Sequence, residues 1–291
     1  MKKKSMISAL VLGLLLLTGC AGQSAENTFA DWSDRVDTAL PDDEEWSYTL
    51  TVRQYPSSHY DEDGKLLVQA CYDVPQMQVQ HADGHPYDAL TESNAPAMQV
   101  AQRFNRWFAD WLSRRLANFG ELCTLAEQDA GKAAQAWPAD YYYTDRVEAA
   151  FWHNSRIACI TLYTESFTGG PHPVCSRSAL TFDMATGEEV TINHMTQDHV
   201  GLRDAVALEI LSQIAGGRYA PYYDGETLFD DYEQTIPEWM TRAVFFGDGA
   251  MTVVFGLYDL APSAAEQAFT VSYDVIAPYL NDYGRALLEL N

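Results

Sequence analysis

The chain has 291 residues, 41 acidic and 18 basic, for a formal net charge of −23. That excess of acid excludes a nucleic-acid-binding surface, which needs clustered Lys and Arg to displace phosphate counterions. A hydrophobic fraction of 47% with 12% aromatic residues excludes a disordered stalk and suits one large domain or two small ones.

Lys2, Lys3 and Lys4 precede an apolar run at residues 9–17, which leads into Leu17-Thr18-Gly19-Cys20. A basic start, a short apolar core and a small-residue cysteine site follow the order of a bacterial lipoprotein signal. The run is shorter than the roughly 20 residues that span a bilayer. Residues 1–19 are therefore expected to be a cleaved signal peptide. Cys20 is expected to become the first residue and to carry acyl chains such as palmitate, since stable anchoring takes more than one chain. The expected location is the extracytoplasmic face of the cell membrane, held by lipid, with residues 20–45 as a linker. Without residues 1–19, 15 basic residues face the 41 acidic ones. Such a surface repels anionic lipid and attracts a cationic partner.

Cys71, Cys123, Cys159 and Cys175 remain. Outside the cytoplasm an even number allows disulfides. Three pairings are open, and so is a set of buried free thiols. Cys159 and Cys175 lie 11 and 5 residues from Gly170, so they do not oppose each other across a simple ladder.

Residues 46–54 alternate apolar and polar with period two, the pattern of a half-buried strand. Asp61 to Gly64 supplies a turn, and 66–74 forms a second strand. Asn94 and Pro96 then open a helix whose apolar positions are Phe104, Trp107, Phe108, Trp111, Leu112, Leu116 and Phe119, with Gly120 as its stop. Strands follow at 141–152 and 156–165 around His153-Asn154-Ser155, and at 174–183 and 189–192 around Thr186-Gly187, read as an antiparallel meander. Leu202, Val206, Ile210, Leu211 and Ile214 recur at helical spacing behind a cap at Asp198 or Thr196, and Gly216-Gly217 ends that helix. Residues 240–246 and 251–257 flank Asp248-Gly249, a hairpin signal. A last strand covers 268–273, and a short helix covers 274–279. The expected class is α+β: antiparallel sheets, in a meander and hairpins, with two long amphipathic helices packed on them.

Three stretches carry more than generic pattern. Tyr163-Thr164-Glu165-Ser166-Phe167-Thr168-Gly169-Gly170-Pro171-His172 resembles a Tyr-x-Gly-Gly-Ala-His hairpin, and Phe182-Asp183 with Thr186-Gly187 resembles the Phe-Asp-x-x-Thr-Gly turn that follows it. Phe255-Gly256-Leu257-Tyr258-Asp259-Leu260-Ala261-Pro262 with Phe269-Thr270-Val271-Ser272-Tyr273 resembles a Tyr-x-Ile-Ala-Pro-Tyr … Phe-x-Ile-Pro-Tyr signature. Together they resemble the RsiV-like extracytoplasmic family. It comprises the sensor domains of lysozyme-responsive anti-sigma factors, the non-catalytic domain of PdaC-type peptidoglycan deacetylases, and lipoproteins carrying this domain of unknown function. The resemblance runs from about residue 46 to the end, and implies an N-terminal PdaC/RsiV-like part at 46–165 and a C-terminal RsiV-like part at 166–291. Ser263, Glu266 and Pro171 depart from it, standing where the family has tyrosine, glycine and alanine. With Glu266 the last turn must be built differently, because glycine there supplies positive φ. The sequence carries neither a membrane-spanning helix nor a sigma-binding segment, so an anti-sigma role is not expected.

Candidate binding residues are Gly169, Gly170 and His172, in a loop specified by two glycines and two prolines, and Tyr219, Tyr222, Tyr223 and Tyr232, interleaved with acids. Rigid loops serve recognition. Aromatic anchors among acids suit a basic partner, and the resemblance implies a lysozyme or another cationic protein. His172 has no carboxylate or nucleophile partner readable in the sequence, and no catalytic constellation occurs. His81 with His85, and His194 with His199, do not share a helical face, so no metal is expected; no cofactor is expected either. The reading is a non-enzymatic ligand-binding or sensing lipoprotein. The alternative is an envelope enzyme or accessory acting on peptidoglycan.

Overall fold

Alternating apolar residues build a long first hairpin. In the computed structural model, which describes residues 38–39, 46–81, 83–87, 95–132, 141–170, 172–219, 227–262 and 266–290, β1 (Thr38–Ala39) pairs with β2 (Trp46–Tyr60). Strand β2 pairs antiparallel with β3 (Leu66–His81). The chain divides into two units, Met1–Trp32 and Ser33–Asn291, and every described residue belongs to the second. The signal segment, Cys20 and the cap Asn94 lie outside the described residues.

The turn between β2 and β3 is held by Asp61 Oδ1, which accepts from the amides of Asp63 at 2.9 Å and Lys65 at 2.8 Å. Both strands continue past the expected ends at 54 and 74, and each contains a proline, Pro56 and Pro75. Proline removes a ladder donor and is confined to strand stretches with an open side. β1 covers only Tyr48 and Thr49 of β2, and β4 (Tyr143–His153) covers only Val68–Tyr72 of β3. The prolines stand outside both paired stretches.

Helix α1 (Ala95–Lys132) corrects one expectation: it passes through Gly120 and runs twelve residues further. A mid-helix glycine costs only about 1 kcal/mol. Beyond it Ala126 is buried with Leu67, Val68 and Tyr143, and Leu122 and Cys123 pack against them. The Tyr143 hydroxyl also donates to Asp129 at 2.8 Å. Packing of the last turns outweighs the local helix breaker.

A second correction concerns the sheet, which is mixed. Strands β3 and β4 are parallel, with Cys71 opposite Arg146. Parallel neighbours require a long crossover, and α1 is that crossover. The remaining pairs, through β5 (Ile157–Phe167), β6 (Val174–Asp183) and β7 (Glu189–Val190), are antiparallel. Seven strands lie in sequential order. Strand β7 stops at Val190, and α2 (Ile192–Met195) takes up the residues after it.

Helix α3 (His199–Ala215) is capped by Asp198, whose Oδ1 accepts from the Gly201 amide at 2.9 Å; Gly216 closes it and Gly217 follows at φ 82°. It buries Leu202, Val206, Ala207 and Ile210, yet Val200 and Leu208 are exposed. Apolar residues are therefore not confined to one face of α3. After α4 (Tyr232–Thr235) and a 3-10 turn at Ile236–Thr241, the antiparallel strands β8 (Ala243–Gly247), β9 (Ala250–Phe255) and β10 (Gln267–Ser272) form a second sheet. Strand β8 starts later than expected because the 3-10 turn buries Trp239, whose indole N–H donates to the Arg203 carbonyl at 3.0 Å. Helix α5 (Tyr273–Ile276), a 3-10 turn at Ala277–Tyr279 and α6 (Asp282–Leu287) complete the described chain.

One hydrophobic cluster lies between α1 and the large sheet, centred on Phe104, Phe108, Tyr72, Ile160 and Phe182. Another joins α3 to the small sheet through Val206, Ile210, Trp239, Phe255 and Phe269. The buried members of the first span residues 48–184 in sequence, and those of the second are Ile157 and residues between Val190 and Leu288. Residues 165 and 166 both lie inside β5.

Candidate functional site

Directly opposed residues of neighbouring strands share a sheet face. One face of β4, β5 and β6 carries Val147, Ala158, Ile160, Leu162 and Phe182, and is covered by α1. On the other face the register lines up Cys71, Arg146, Glu165 and Cys175 across four strands, and beside them Glu148, Tyr163 and Arg177. Towards the β4–β5 turn this second face is closed: Cys159 and Thr181 are buried, with a backbone hydrogen bond linking the Cys159 thiol to Phe246 of β8. Towards the β5–β6 turn it is open, with Arg146 and Glu148 exposed and Tyr163, Glu165 and Cys175 half-buried.

The open part is a polar network. Arg146 lies 3.3 Å from Glu148, and Arg177 lies 3.0 Å from Glu266 at the entry to β10. The Arg177 guanidinium also sits 5.6 Å from the Tyr163 ring centroid, within cation–π reach. The Tyr163 hydroxyl donates to the Cys175 sulfur. Burial pushes the Cys175 thiol up; the Tyr163 bond opposes this, while Glu165 and Glu266 add to it. Burial likewise raises Cys71, with Asp73 and Glu148 adding to it and Arg146 opposing. Nucleophilic cysteines have lowered values, so neither thiol is set up for covalent chemistry. All four cysteines, 71, 123, 159 and 175, are free thiols. Cys159 opposes Thr181, and Cys175 opposes Glu165.

The β5–β6 turn borders this face. Gly169 and Gly170 have φ of 100° and 108°, a region that disfavours side chains. A Cβ on Gly169 would stand 2.7 Å from the Tyr141 hydroxyl. The glycine thus lets Tyr141 close on the turn, where its ring lies 5.4 Å from Phe167. His172 Nδ1 donates to the Pro173 carbonyl at 2.8 Å, and its Nε2 lies 3.5 Å from the Tyr258 hydroxyl. Tyr258 has φ 63° and is 54% exposed. Its loop is pinned by Asp259, which accepts from the Gly256 amide at 2.7 Å and lies 3.1 Å from Arg242. The turn of the large sheet and the β9–β10 loop of the small one therefore meet through His172 and Tyr258. Among the described residues His172 contacts a carbonyl and a phenol, which do not make an acid–base pair of the kind hydrolysis needs.

The other candidate residues lie elsewhere. Tyr219 follows α3 and is half-buried. Tyr232 opens α4, packs against the C-terminal cluster, and places its hydroxyl 3.4 Å from Glu233. Tyr222 and Tyr223 lie outside the described residues. His81 stacks on Tyr87 at 3.7 Å, and the Thr191 amide donates to His194 Nδ1 at 3.1 Å. Among the described residues no group of His, Cys, Asp and Glu could hold a metal ion, and no helix is long and apolar enough to cross a membrane.

Sequence reasoning missed two acids. Asp145 is buried beneath α1, accepts from Tyr72 at 2.8 Å and Ser166 at 2.7 Å, and lies 3.8 Å from Arg115. Glu266 pairs with Arg177, 89 residues away. The one local signal for Glu266 was that it replaces a glycine of the resembled pattern.

These features define a mixed α+β domain with an open charged sheet face. No protein-family model matches the chain, and no curated protein matches it. Among solved structures, it is similar to a member of the DUF3298 family from Bacteroides fragilis, with a TM-score of 0.52 and 11% identity over 82% of this chain and 96% of that one. A DUF3298 family protein from Pseudomonas aeruginosa aligns over 80% of this chain and 95% of its own, with 15% identity and a TM-score of 0.45. The first likeness shows the fold; it assigns no activity.

Proposed function

We propose that the chain is a lipoprotein anchored through Cys20 on the extracytoplasmic face of the cell membrane, whose RsiV-like domain binds or senses a cationic protein such as a lysozyme and catalyses no reaction. The observation that carries this reading is the charge of −23, which favours encounter with a basic partner. The exposed residues Val174 and Tyr258, with His172 beside Tyr258, supply apolar and aromatic contact area beside the open sheet face. The residues of the His172 loop and the half-buried cysteines give the peptidoglycan-enzyme reading no support, since they form no acid–base pair and no activated thiol.

The test is surface plasmon resonance of the full chain in detergent against hen lysozyme, with the Y258A and H172A variants alongside. Micromolar or tighter binding that weakens about tenfold or more in Y258A supports the proposal, because an interface anchor contributes on this scale. Absence of binding for the unmodified chain contradicts it.

A further inference from the structure

In a chain of strong net negative charge, one face of α1 is basic. Trp111, Arg114, Arg115 and Asn118 recur at helical spacing and, with Ala117, line an open groove of about 400 Å³. That size falls within the roughly 300–1,000 Å³ of small-molecule sites. None of the lining residues is acidic.

The groove has a fixed floor and one free charge. The half-buried Trp111 ring stands edge-on to Tyr72 at 6.5 Å and to Phe108 at 6.3 Å. Arg115 is held by several contacts: its Nη2 donates to Thr164 Oγ1 at 2.9 Å, Asp145 lies 3.8 Å away, and the guanidinium sits 5.9 Å from the Tyr72 centroid and 5.8 Å from that of Trp111. Asp145 offsets its charge. Arg114 is exposed and forms no ion pair with any described residue, so its five planar donors are available to a carboxylate, which they fit bidentately. Asn118 is exposed and adds a donor and an acceptor.

We propose that this groove binds a saccharide bearing a carboxylate. The carboxylate pairs with Arg114, a face of the pyranose ring lies on Trp111, and ring hydroxyls reach Asn118 and the outer edge of Arg115. The flat aromatic surface next to an unpaired guanidinium favours a sugar acid over an isolated anion, which would use the charge and leave the ring unused. Asp110 and Glu121 flank the groove one helical turn from Arg114 and Asn118, but neither lines it nor forms an ion pair with Arg114; acids more than about 10 Å away are screened at 0.1 M salt.

The experiment is saturation-transfer NMR on the full chain with three probes: D-glucuronate, D-glucose, which lacks the carboxylate, and acetate, which lacks the ring. The site predicts saturable transfer to glucuronate ring protons with a Kd of about 1 mM. It predicts binding about tenfold weaker for glucose and for glucuronate with R114A, the loss expected for one charge-assisted contact, and about as weak for acetate. N118A, also at an exposed position, weakens glucuronate by a smaller factor. No transfer to glucuronate at about 20 mM, equal transfer to glucose, or unchanged binding in R114A overturns the proposal. The lysozyme measurement addresses a different surface, so either proposal can fail alone.

Discussion

Arg177 and Glu266 form an ion pair at 3.0 Å, and each side chain is only 12% exposed. Arg177 belongs to β6 of the large sheet, and Glu266 directly precedes β10 of the small sheet. The pair therefore ties together two sheets that also meet through His172 and Tyr258. Removing one partner of a largely buried pair leaves the other charge uncompensated, at a cost of about 3–5 kcal/mol. E266A is expected to lower the free energy of urea unfolding by that amount. E266Q, which keeps a hydrogen-bond acceptor for Arg177, is expected to lose less. Equal losses in both variants would show that the charge, which both remove, accounts for the whole effect and that the retained acceptor contributes nothing.

Gly120 lies inside α1, and a Cβ added there meets nothing within 4 Å. G120A should therefore stabilise the protein by about 0.5–1 kcal/mol through lower unfolded-chain entropy. Thermal unfolding would show a midpoint raised by a few degrees. A lowered midpoint would mean that the helix ends at this glycine after all.

Gly187 is the opposite case. It has φ 72° in the turn after β6, and an added Cβ would run into the backbone of Val100 in α1. Backbone strain and overlap act together at this position, so G187A should cost about 2 kcal/mol or more. Chemical denaturation of the pair G120A and G187A compares two glycines of one protein with opposite expected signs.

Buried thiols make the protein sensitive to alkali. Burial holds the Cys159 thiol up at about 11, against an ordinary 9.0, with hydrogen bonds from Phe246 and Thr181 opposing the rise. Burial, with Glu127 adding, raises Cys123 to about 11 as well. The unfolded chain loses these protons first, so their contribution is full below about pH 9 and disappears as pH climbs through about 11. Stability measured from pH 8 to 11 should fall, and C159A should fall less steeply over that interval. A parallel slope in C159A would exclude Cys159 as a source.

Elements governed by local chemistry were legible in the sequence. The Asp61–Gly64 and Asp248-Gly249 turns, the Asp198 cap, the Gly216-Gly217 stop and the 174–183 strand lie where the residues put them. What depends on distant partners was not legible. Period-two patterning reports a buried face but not which strand lies beside it, so the parallel β3–β4 pairing escaped the meander reading. Gly120 read as a stop because helix propensity is local, whereas the contacts of Ala126 with Leu67, Val68 and Tyr143 that carry the helix onward are tertiary. The same holds for the site. The Gly169-Gly170 backbone was legible, but the approach of Tyr258 to His172 joins residues 86 apart, and the free guanidinium of Arg114 becomes distinctive only once Arg115 is seen to be paired.

The central claim is that this acidic chain binds a basic protein through a shaped surface. Calorimetric titration of the full chain with hen lysozyme at about 0.05 M and 0.3 M salt tests it most directly, with a charge-neutralised lysozyme as control, because screening shortens the Debye length over this range. The account predicts saturable heat at both salt concentrations, weaker at the higher one. Heat that vanishes at the higher salt, or no heat at either, would contradict it.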